Sequence, residues 1–178
     1  ASSHGEESPV TTVTQGRHTF DHEGDVVVFL IGMRINKLHK VHKWLPVAKA
    51  MGPMLKTLSQ HPDKGLLGFR TYVSGRVVLT VQYWRSFEAL EHFARDQDDP
   101  HLEAWRDFNR RDGTNGDVGI FHETYVVPSA AIEAIYNNMP PIGLAAATAM
   151  VPVAKRGQSA AYRMGKAAVD QPIEPVPA

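Results

Sequence analysis

Two neighbouring runs of residues most strongly constrain how this chain can fold. Leu66–Val73 and Arg76–Trp84 are rich in β-branched and aromatic residues, and only Ser74-Gly75 separates them. Such a pair of runs predicts a β-hairpin with a two-residue turn. The second run alternates, so that one face carries Val77, Leu79, Val81 and Tyr83 and the other carries Val78, Thr80, Gln82 and Trp84. The face that carries Tyr83 is too apolar to be left in water.

Helical and strand-like segments alternate around this hairpin. Asp25–Arg34 is an apolar run long enough for one strand. Trp44–Leu58 carries a helical apolar stripe, which Gly52-Pro53 should bend or break near its middle. Ser86 is a good N-cap for a second helix in two segments, and Asp117–Val127 predicts a last strand. The order β-α-β-β-α-β is that of an α+β, ferredoxin-like fold.

One face of the predicted sheet lacks a cover within the chain. Both helical layers of a ferredoxin-like fold lie on the same side of its four strands. The face that carries Tyr83 would therefore be exposed in a monomer. Packing against the same face of a second copy removes this apolar surface from water, which predicts a homodimer joined sheet to sheet.

Composition divides the chain into three parts. Residues 1–24 are polar and unpatterned and predict a flexible N-terminal arm, whereas residues 25–128 hold the ferredoxin-like domain. Residues 129–178 form an irregular C-terminal extension with a short helix at Ser129–Asn138 and a disordered, proline-rich tail from residue 165. This extension could act as a lid over a pocket or as a dimer arm.

Charge and cysteine content exclude several classes of function. Nineteen Lys and Arg balance nineteen Asp and Glu, which argues against a nucleic-acid partner. The absence of cysteine rules out disulfides and thiolate sites and fits a reducing compartment. The longest apolar run of the first half, Val26–Met33, is too short to cross a membrane. No nucleotide-binding glycine motif occurs. We therefore expect a cytoplasmic protein without a membrane partner.

The second segment of the second helix carries a first group of candidate site residues. His101, Trp105 and Asn109 lie near one helix face, and Arg106 is rotated somewhat around it. A neutral imidazole on that face could take a proton from an activated C–H or phenolic O–H group. The alternative is that Trp105 belongs to the core and that His101, directly after Pro100, is an exposed first-turn residue.

A second group of candidates lies on the predicted strands. Trp84 shares a face with Gln82 and could line an apolar pocket, or it could simply fill the core. His122 and Glu123 are adjacent and face opposite sides, and whichever points inward is a polar group on an apolar face. Arg34, at the end of the first strand, could hold a carboxylate or orient an enolate, or form a surface ion pair.

Histidine spacing also raises the question of a metal site. His39 and His42 have the i, i+3 spacing of a metal-binding pair, but three lysines surround them and no further ligands lie at a suitable spacing. We interpret them as surface histidines and predict no metal ion held directly by side chains.

Three segments together resemble the af470-like monooxygenase family. They are FLIGMRINKLHKVHKWLPV, VQYWRSFEALEHFARD and GDVGIFHETYVVP, and the resemblance extends over residues 25–157. This family lies in the dimeric α+β barrel, or antibiotic-biosynthesis monooxygenase, superfamily. The resemblance implies a substrate held between the sheet and its helices, often with no metal or organic cofactor.

The resemblance implies a small-molecule tailoring enzyme that oxygenates an apolar or aromatic substrate in secondary metabolism without a permanent cofactor. In that role His101 or His122 would be the base, Trp84 and Trp105 would line the pocket, and Arg34 or Arg106 would hold an anion. Gln82 and Asn109 would contact substrate.

Two alternatives remain open. Haem-degrading monooxygenases and aldoxime dehydratases share the fold and bind haem, so the chain could be a haem-binding lyase or a haem-handling protein. In the haem-degrading relatives, the position of the axial histidine falls near Arg106 of this chain, and arginine is not a haem ligand. Another histidine, His101, His122 or His42, would then have to be the axial ligand. The chain could also be a non-catalytic ligand-binding dimer.

Overall fold

The computed structural model of the chain describes residues 12–96, 106–110 and 113–171. These residues divide into two compact units, one of residues 23–131 and the other of the residues before and after that range. The strands are β1 (Thr14–Phe20), β2 (Val26–Ile35), β3 (Leu66–Ser74), β4 (Val77–Trp84), β5 (Val118–Val127), β6 (Tyr136–Met139) and β7 (Met150–Pro152). The helices are α1 (Val41–Gln60), α2 (Phe87–Arg95), α3 (Leu144–Ala147) and α4 (Ala160–Arg163), and residues 106–110 are also helical.

The unit of residues 23–131 has the predicted ferredoxin-like order. Its four strands form one antiparallel sheet in the order β3-β4-β2-β5, and α1 and α2 follow β2 and β4 in the chain. A core beneath the two helices contains Val27 and Trp84 from the sheet, Leu58 from α1, and Leu90 and Phe93 from α2. The α+β fold class predicted from the sequence is confirmed.

Helix α1 corrects one prediction. The segment Gly52-Pro53 predicts a bend or a break, and the break is wrong, because α1 runs continuously from Val41 to Gln60 with Pro46 and Pro53 inside it. A bend at Gly52-Pro53 stays a prediction. A proline removes one backbone hydrogen bond and crowds the preceding turn. Met54, Leu55 and Leu58 follow directly and are buried, so packing of the second half against the core offsets that cost.

The ends of the central elements also follow from local chemistry. The Ser86 side chain accepts a hydrogen bond from the backbone N–H of Ala89 at 3.1 Å, which confirms it as the N-cap of α2. The hairpin turn lies one residue later than predicted, at Gly75-Arg76, because Ser74 still pairs with Val77. Gly75 has a φ of 56°, a left-handed conformation that glycine adopts without steric cost.

The second unit corrects the predicted N-terminal arm. The sequence predicts that Thr14–Phe20 is part of a flexible arm, but this segment is the central strand of a three-stranded sheet in the order β6-β1-β7. Thr19 and Phe20 are buried, and the Thr19 hydroxyl donates to the Ala134 carbonyl at 2.8 Å. The sequence did not reveal this strand because its partners lie more than a hundred residues later in the chain.

The C-terminal extension is more regular than predicted. The helix expected at Ser129–Asn138 is a single 3-10 turn at Ser129–Ala131, and β6 follows from Tyr136. Further on, the Asp170 carboxylate accepts the backbone N–H groups of Gln158 and Ser159 at 2.6 and 2.8 Å. These hydrogen bonds lower the pKa of Asp170 and tie the segment near residue 170 to the start of α4. Within its described residues, the tail is therefore ordered as far as residue 171.

Candidate functional site

The register of the four-stranded sheet assigns every strand residue to one of two faces. The inner face, which packs against α1 and α2, is defined by Trp84 and Val27 in the core cluster. Because Phe29 pairs with Gln82 and Thr124, and Ile31 pairs with Thr80 and His122, these six side chains also belong to the inner face. The outer face carries Val28, Leu30, Leu79, Val81, Tyr83, Phe121 and Tyr125.

Trp84 lies at the centre of the core beneath the helices. Its side chain is 0% exposed, and its ring lies 5.6 Å from that of Phe93 between ring centroids. Core packing, one of the two sequence-based interpretations of this residue, therefore describes its contacts. A role as a pocket wall remains a prediction.

Gln82 connects this core to the rest of the inner face. The indole N–H of Trp84 donates to Gln82 Oε1 at 2.9 Å, and Gln82 is 4% exposed. An indole nitrogen can only donate, so the oxygen end of the Gln82 amide must face Trp84. The NH₂ end then points elsewhere, and among the described residues it has no hydrogen-bond partner.

His122 is the residue of the His122-Glu123 pair that faces inward. Its ring lies 5.8 Å from that of Phe29 between centroids, at an interplanar angle of 42°. It is exposed, as is Thr124, whereas Phe29 and Ile31 are half-buried. An imidazole at the border of an apolar strip is thus open to a ligand from above the sheet.

Strand β2 separates two polar borders of the inner face. Thr80 and Gln82 lie on β4 on one side of Phe29 and Ile31, and His122 and Thr124 lie on β5 on the other. Since neighbouring strands are about 4.8 Å apart, the two borders are about 10 Å apart. The arrangement is an apolar floor between hydrogen-bonding groups, which suits a flat small molecule.

Sequence reasoning missed the floor of this arrangement. Phe29 and Ile31 lie in the continuous apolar run of β2, where no polar alternation distinguishes one face from the other. Thr71 was also missed, and its hydroxyl lies 2.9 Å from that of Thr80 across the β3–β4 pair. Polar and apolar residues alternate along β4, and pairing with β4 assigns the residues of β2 and β3 to the same two faces. This alternation is the signal that could have identified Phe29, Ile31 and Thr71.

Glu123 faces the opposite side, where it meets Tyr125. The Tyr125 hydroxyl donates to Glu123 Oε2 at 2.5 Å. This hydrogen bond and the negative charge of Glu123 raise the pKa of Tyr125 above its ordinary value. The pair therefore belongs to the outer face and does not contribute to the group around His122.

Arg34 also lies away from the inner face. It is an outer-face residue at the end of β2, and its guanidinium donates to the side-chain oxygen of Asn36. The structure thus does not bring it together with Gln82, Trp84 and His122. The surface ion pair considered from the sequence is replaced by a hydrogen bond to a neutral amide.

The lysines that follow β2 are organised around one buried carboxylate. Lys40 binds Asp117 at 2.7 Å, and the Asp117 side chain is 6% exposed. The hydrogen bond from Lys40 is the main reason that the pKa of Asp117 is lowered, and the charges of Lys43 and Lys37 act in the same direction. This ion pair joins the start of α1 to the start of β5, so it positions the strand that carries His122.

The remaining predicted site residues stay predictions. His101 and Trp105 lie outside the described residues. Arg106 and Asn109 are exposed in the helical residues 106–110, and His42 is exposed in the first turn of α1. In the described part of the chain, no group of three or more His, Asp or Glu side chains could hold a metal ion.

A family model described as "Monooxygenase af470-like" matches residues 26–144. Monooxygenase af470 of Aspergillus fumigatus is 28% identical to this chain over 130 residues, which are 67% of this chain and 45% of the relative. Among solved structures, the aldoxime dehydratase OxdRE in complex with butyraldoxime aligns with a TM-score of 0.60 and 17% identity, covering 74% of this chain and 39% of that one. A second aldoxime dehydratase aligns with a TM-score of 0.58 and 19% identity, covering 75% and 41%.

The chain spans less than half the length of each of these relatives. The structural likeness shows a shared fold, because the sequence identities are below 20%. The family model covers about two thirds of the chain and includes every strand of the four-stranded sheet. The chain therefore belongs to the monooxygenase af470-like family.

Proposed function

We propose that this protein is a small-molecule tailoring enzyme that oxygenates an apolar or aromatic substrate on the inner face of its sheet, without a permanent cofactor. The position of His122 carries this proposal: an accessible imidazole lies against Phe29 at the border of an apolar floor. Family membership supports a monooxygenase reaction, and the inner face supplies a base and a hydrogen-bond donor on either side of β2.

The proposed reaction needs only substrate and dioxygen. His122 accepts a proton from an activated CH₂ group, and the resulting carbanion reacts with O₂. One oxygen atom ends as a carbonyl on that carbon and the other leaves as water, so CH₂ and O₂ give C=O and H₂O. The substrate supplies all the electrons, which is why no redox cofactor is required.

The other inner-face residues prepare the substrate for this step. Phe29 and Ile31 hold its apolar body and exclude water from it. The NH₂ group of Gln82, oriented by Trp84, can donate to a substrate oxygen on which negative charge develops when the proton leaves. His101 remains the alternative base, and Trp105, Arg106 and Asn109 remain candidate contacts from the helical side.

Oxygen uptake tests the proposed reaction. Purified protein is mixed with a panel of uncharged aromatic ketones that carry an activated methylene group, and O₂ consumption and ¹⁸O incorporation are measured. We expect one O₂ consumed per substrate and one labelled oxygen in the product. Tight binding without O₂ consumption would instead identify a non-catalytic ligand-binding protein.

We also propose that the functional form is a homodimer joined through the outer face. Phe121 and Tyr125 are 40% and 49% exposed on that face, beside the half-buried Leu30, Leu79 and Val81. Apolar area of this kind favours association, because burying it against a second copy removes it from water. The cysteine-free sequence supports placing this dimer in the cytoplasm.

The fold shared with aldoxime dehydratases favours one second candidate, a haem-binding enzyme. Among the described residues, His122 fits as a single axial ligand because its exposed ring lies against Phe29 on an apolar face. His42, in the first turn of α1, remains a predicted alternative. Haem would supply an iron centre that binds and activates the substrate. Hemin titration decides between the candidates. A Soret band that forms with the wild type and is lost in His122→Ala supports a haem-binding enzyme, and no Soret band with the wild type excludes one.

A further inference from the structure

We propose that the inner face selects an uncharged ligand that presents a hydrogen-bond acceptor to Gln82. This inference rests on the proposed site and adds the chemical class of what binds there. It excludes carboxylates, phosphates and sulfonates as the part of the ligand that lies on Phe29 and Ile31.

The first support is the absence of a cation where an anion would need one. Among the described residues, none of the side chains that β2, β3, β4 and β5 direct to the inner face is Lys, Arg, Asp or Glu. His122 is the only titratable side chain in that set. Removing an anionic group from water without a compensating cation is strongly unfavourable.

Three cations of the described residues have other positions or partners. Arg34 lies on the outer face with Asn36, Lys40 binds Asp117, and Lys64 binds Asp96 at 3.3 Å. Recruiting Lys40 for an anionic ligand would leave the buried Asp117 carboxylate without this charged partner. Arg34, which the sequence offered as a carboxylate holder, would have to cross the sheet.

The second support is the fixed orientation of the Gln82 amide. Because Trp84 Nε1 donates to Gln82 Oε1, the acceptor end of the amide is occupied and the donor end is offered. A ligand group that meets Gln82 must therefore accept a hydrogen bond, as a ketone, ether or hydroxyl oxygen does. A ligand that offers only a donor there would face another donor.

The width of the floor sets the size of the ligand. Gln82 and His122 border the floor from opposite sides of β2, about 10 Å apart by strand spacing. A group of two or three fused rings, or an apolar chain of the same length, spans this distance. The class is thus an uncharged, largely apolar compound with an oxygen acceptor at one end.

A matched pair of fluorescent probes tests this inference without turnover. Prodan is an uncharged naphthyl ketone of about the right length, and its counterpart carries a carboxylate in place of the ketone group. Titrations are made under nitrogen and followed by the blue shift of probe emission. We expect Prodan to bind with a dissociation constant about tenfold or more below that of the carboxylate.

Two matched substitutions of an aliphatic residue by glutamine locate the probe. Ile31→Gln changes the inner face and should weaken Prodan about tenfold, whereas Leu38→Gln, at a residue that is 49% exposed in the turn before α1, should leave the affinity unchanged. Gln82→Glu keeps an oxygen for Trp84 but loses the donor, so it should also weaken Prodan. Thr124→Lys adds a cation at an exposed border position and should reduce the preference for Prodan over the carboxylate.

Equal or tighter binding of the carboxylate would overturn the inference, as would failure of both probes to bind. Loss of Prodan binding in Leu38→Gln but not in Ile31→Gln would also overturn it. Circular dichroism of each variant confirms that it is folded. Binding is measured without oxygen, so these results test the ligand class independently of the reaction. If the probes bind as expected but the protein consumes no O₂, only the proposed reaction is contradicted.

Discussion

Trp84 and Gln82, two residues apart on β4, are joined by a buried hydrogen bond of 2.9 Å from the indole nitrogen to the amide oxygen. The bond links the most deeply buried aromatic side chain of the core to a polar side chain beside the apolar floor. It satisfies both groups away from water. The packing that stabilises the fold therefore also fixes which end of the amide a ligand would meet.

Removing the donor of this bond should destabilise the protein. Trp84→Phe leaves the Gln82 oxygen without its partner and also removes buried volume, so we expect a loss of about 2–4 kcal/mol in the free energy of unfolding. Urea denaturation measures it. In a double-mutant cycle with Gln82→Leu, the coupling energy should be about 1 kcal/mol. A coupling energy near zero would show that the hydrogen bond contributes nothing.

The ion pair between Lys40 and Asp117 predicts a pH-dependent stability. Because the pKa of Asp117 is lowered in the folded protein from its ordinary value of 3.8, the carboxylate stabilises the fold above that value. This contribution is lost as the pH falls through the lowered pKa. Asp117→Asn should therefore be less stable than the wild type at pH 7, and the difference should shrink below about pH 4.

Thermal melts across this pH range measure the difference. Asp63→Asn is the matched control, because it makes the same charge change at a side chain that is 82% exposed. The stability of Asp63→Asn should change with pH in the same way as that of the wild type. A difference for Asp117→Asn that persists unchanged in acid would contradict the assigned role of the carboxylate.

The close approach of Phe121 to Gly32 makes that glycine sensitive to substitution. A Cβ atom at Gly32 would lie 2.5 Å from Phe121 Cε1 and 2.9 Å from the Val78 carbonyl oxygen. The ring can move but the backbone carbonyl cannot easily do so. Gly32→Ala should therefore cost about 1–3 kcal/mol in the free energy of unfolding.

Gly119 offers a matched control in the neighbouring strand. The atoms nearest to a Cβ there are 3.7 Å away, which is ordinary van der Waals contact. Gly119→Ala should be neutral or slightly stabilising in the same denaturation experiment. Equal effects of the two substitutions would argue against the described packing of Phe121.

The apolar outer face predicts the assembly state. Sedimentation equilibrium should give twice the mass of the chain, and Leu79→Lys should convert the dimer to monomers because it places a charge in the interface. Val73→Lys, at an inner-face residue that is 72% exposed, should leave the dimer intact. A monomeric wild-type protein would refute the proposed interface.

The sequence was informative wherever local pattern and long-range structure agreed. The alternation of β4 and the Ser86 cap predicted elements that the structure contains at those places. The alternation also placed Gln82 and Trp84 on one face. It could not assign Arg34 or Phe29, because β2 is apolar on both faces and only pairing with β4 decides which side each residue takes.

The strand at Thr14–Phe20 shows a different limit of sequence reasoning. Its residues are mostly polar, and they form a strand because β6 and β7 pair with them from the far end of the chain. Contacts of such sequence separation leave no local pattern. In α1, burial of Leu55 and Leu58 overrides the break that Gly52-Pro53 suggests.

Comparison of His122→Ala with His39→Ala in the oxygen-uptake assay tests the central claim most directly. His122 faces the apolar floor, whereas His39 is an exposed histidine in the turn before α1. We predict that His122→Ala lowers the rate by about a hundredfold or more while the protein stays folded, and that His39→Ala keeps the wild-type rate. Undiminished oxygen uptake in His122→Ala would contradict the claim that this imidazole is the base.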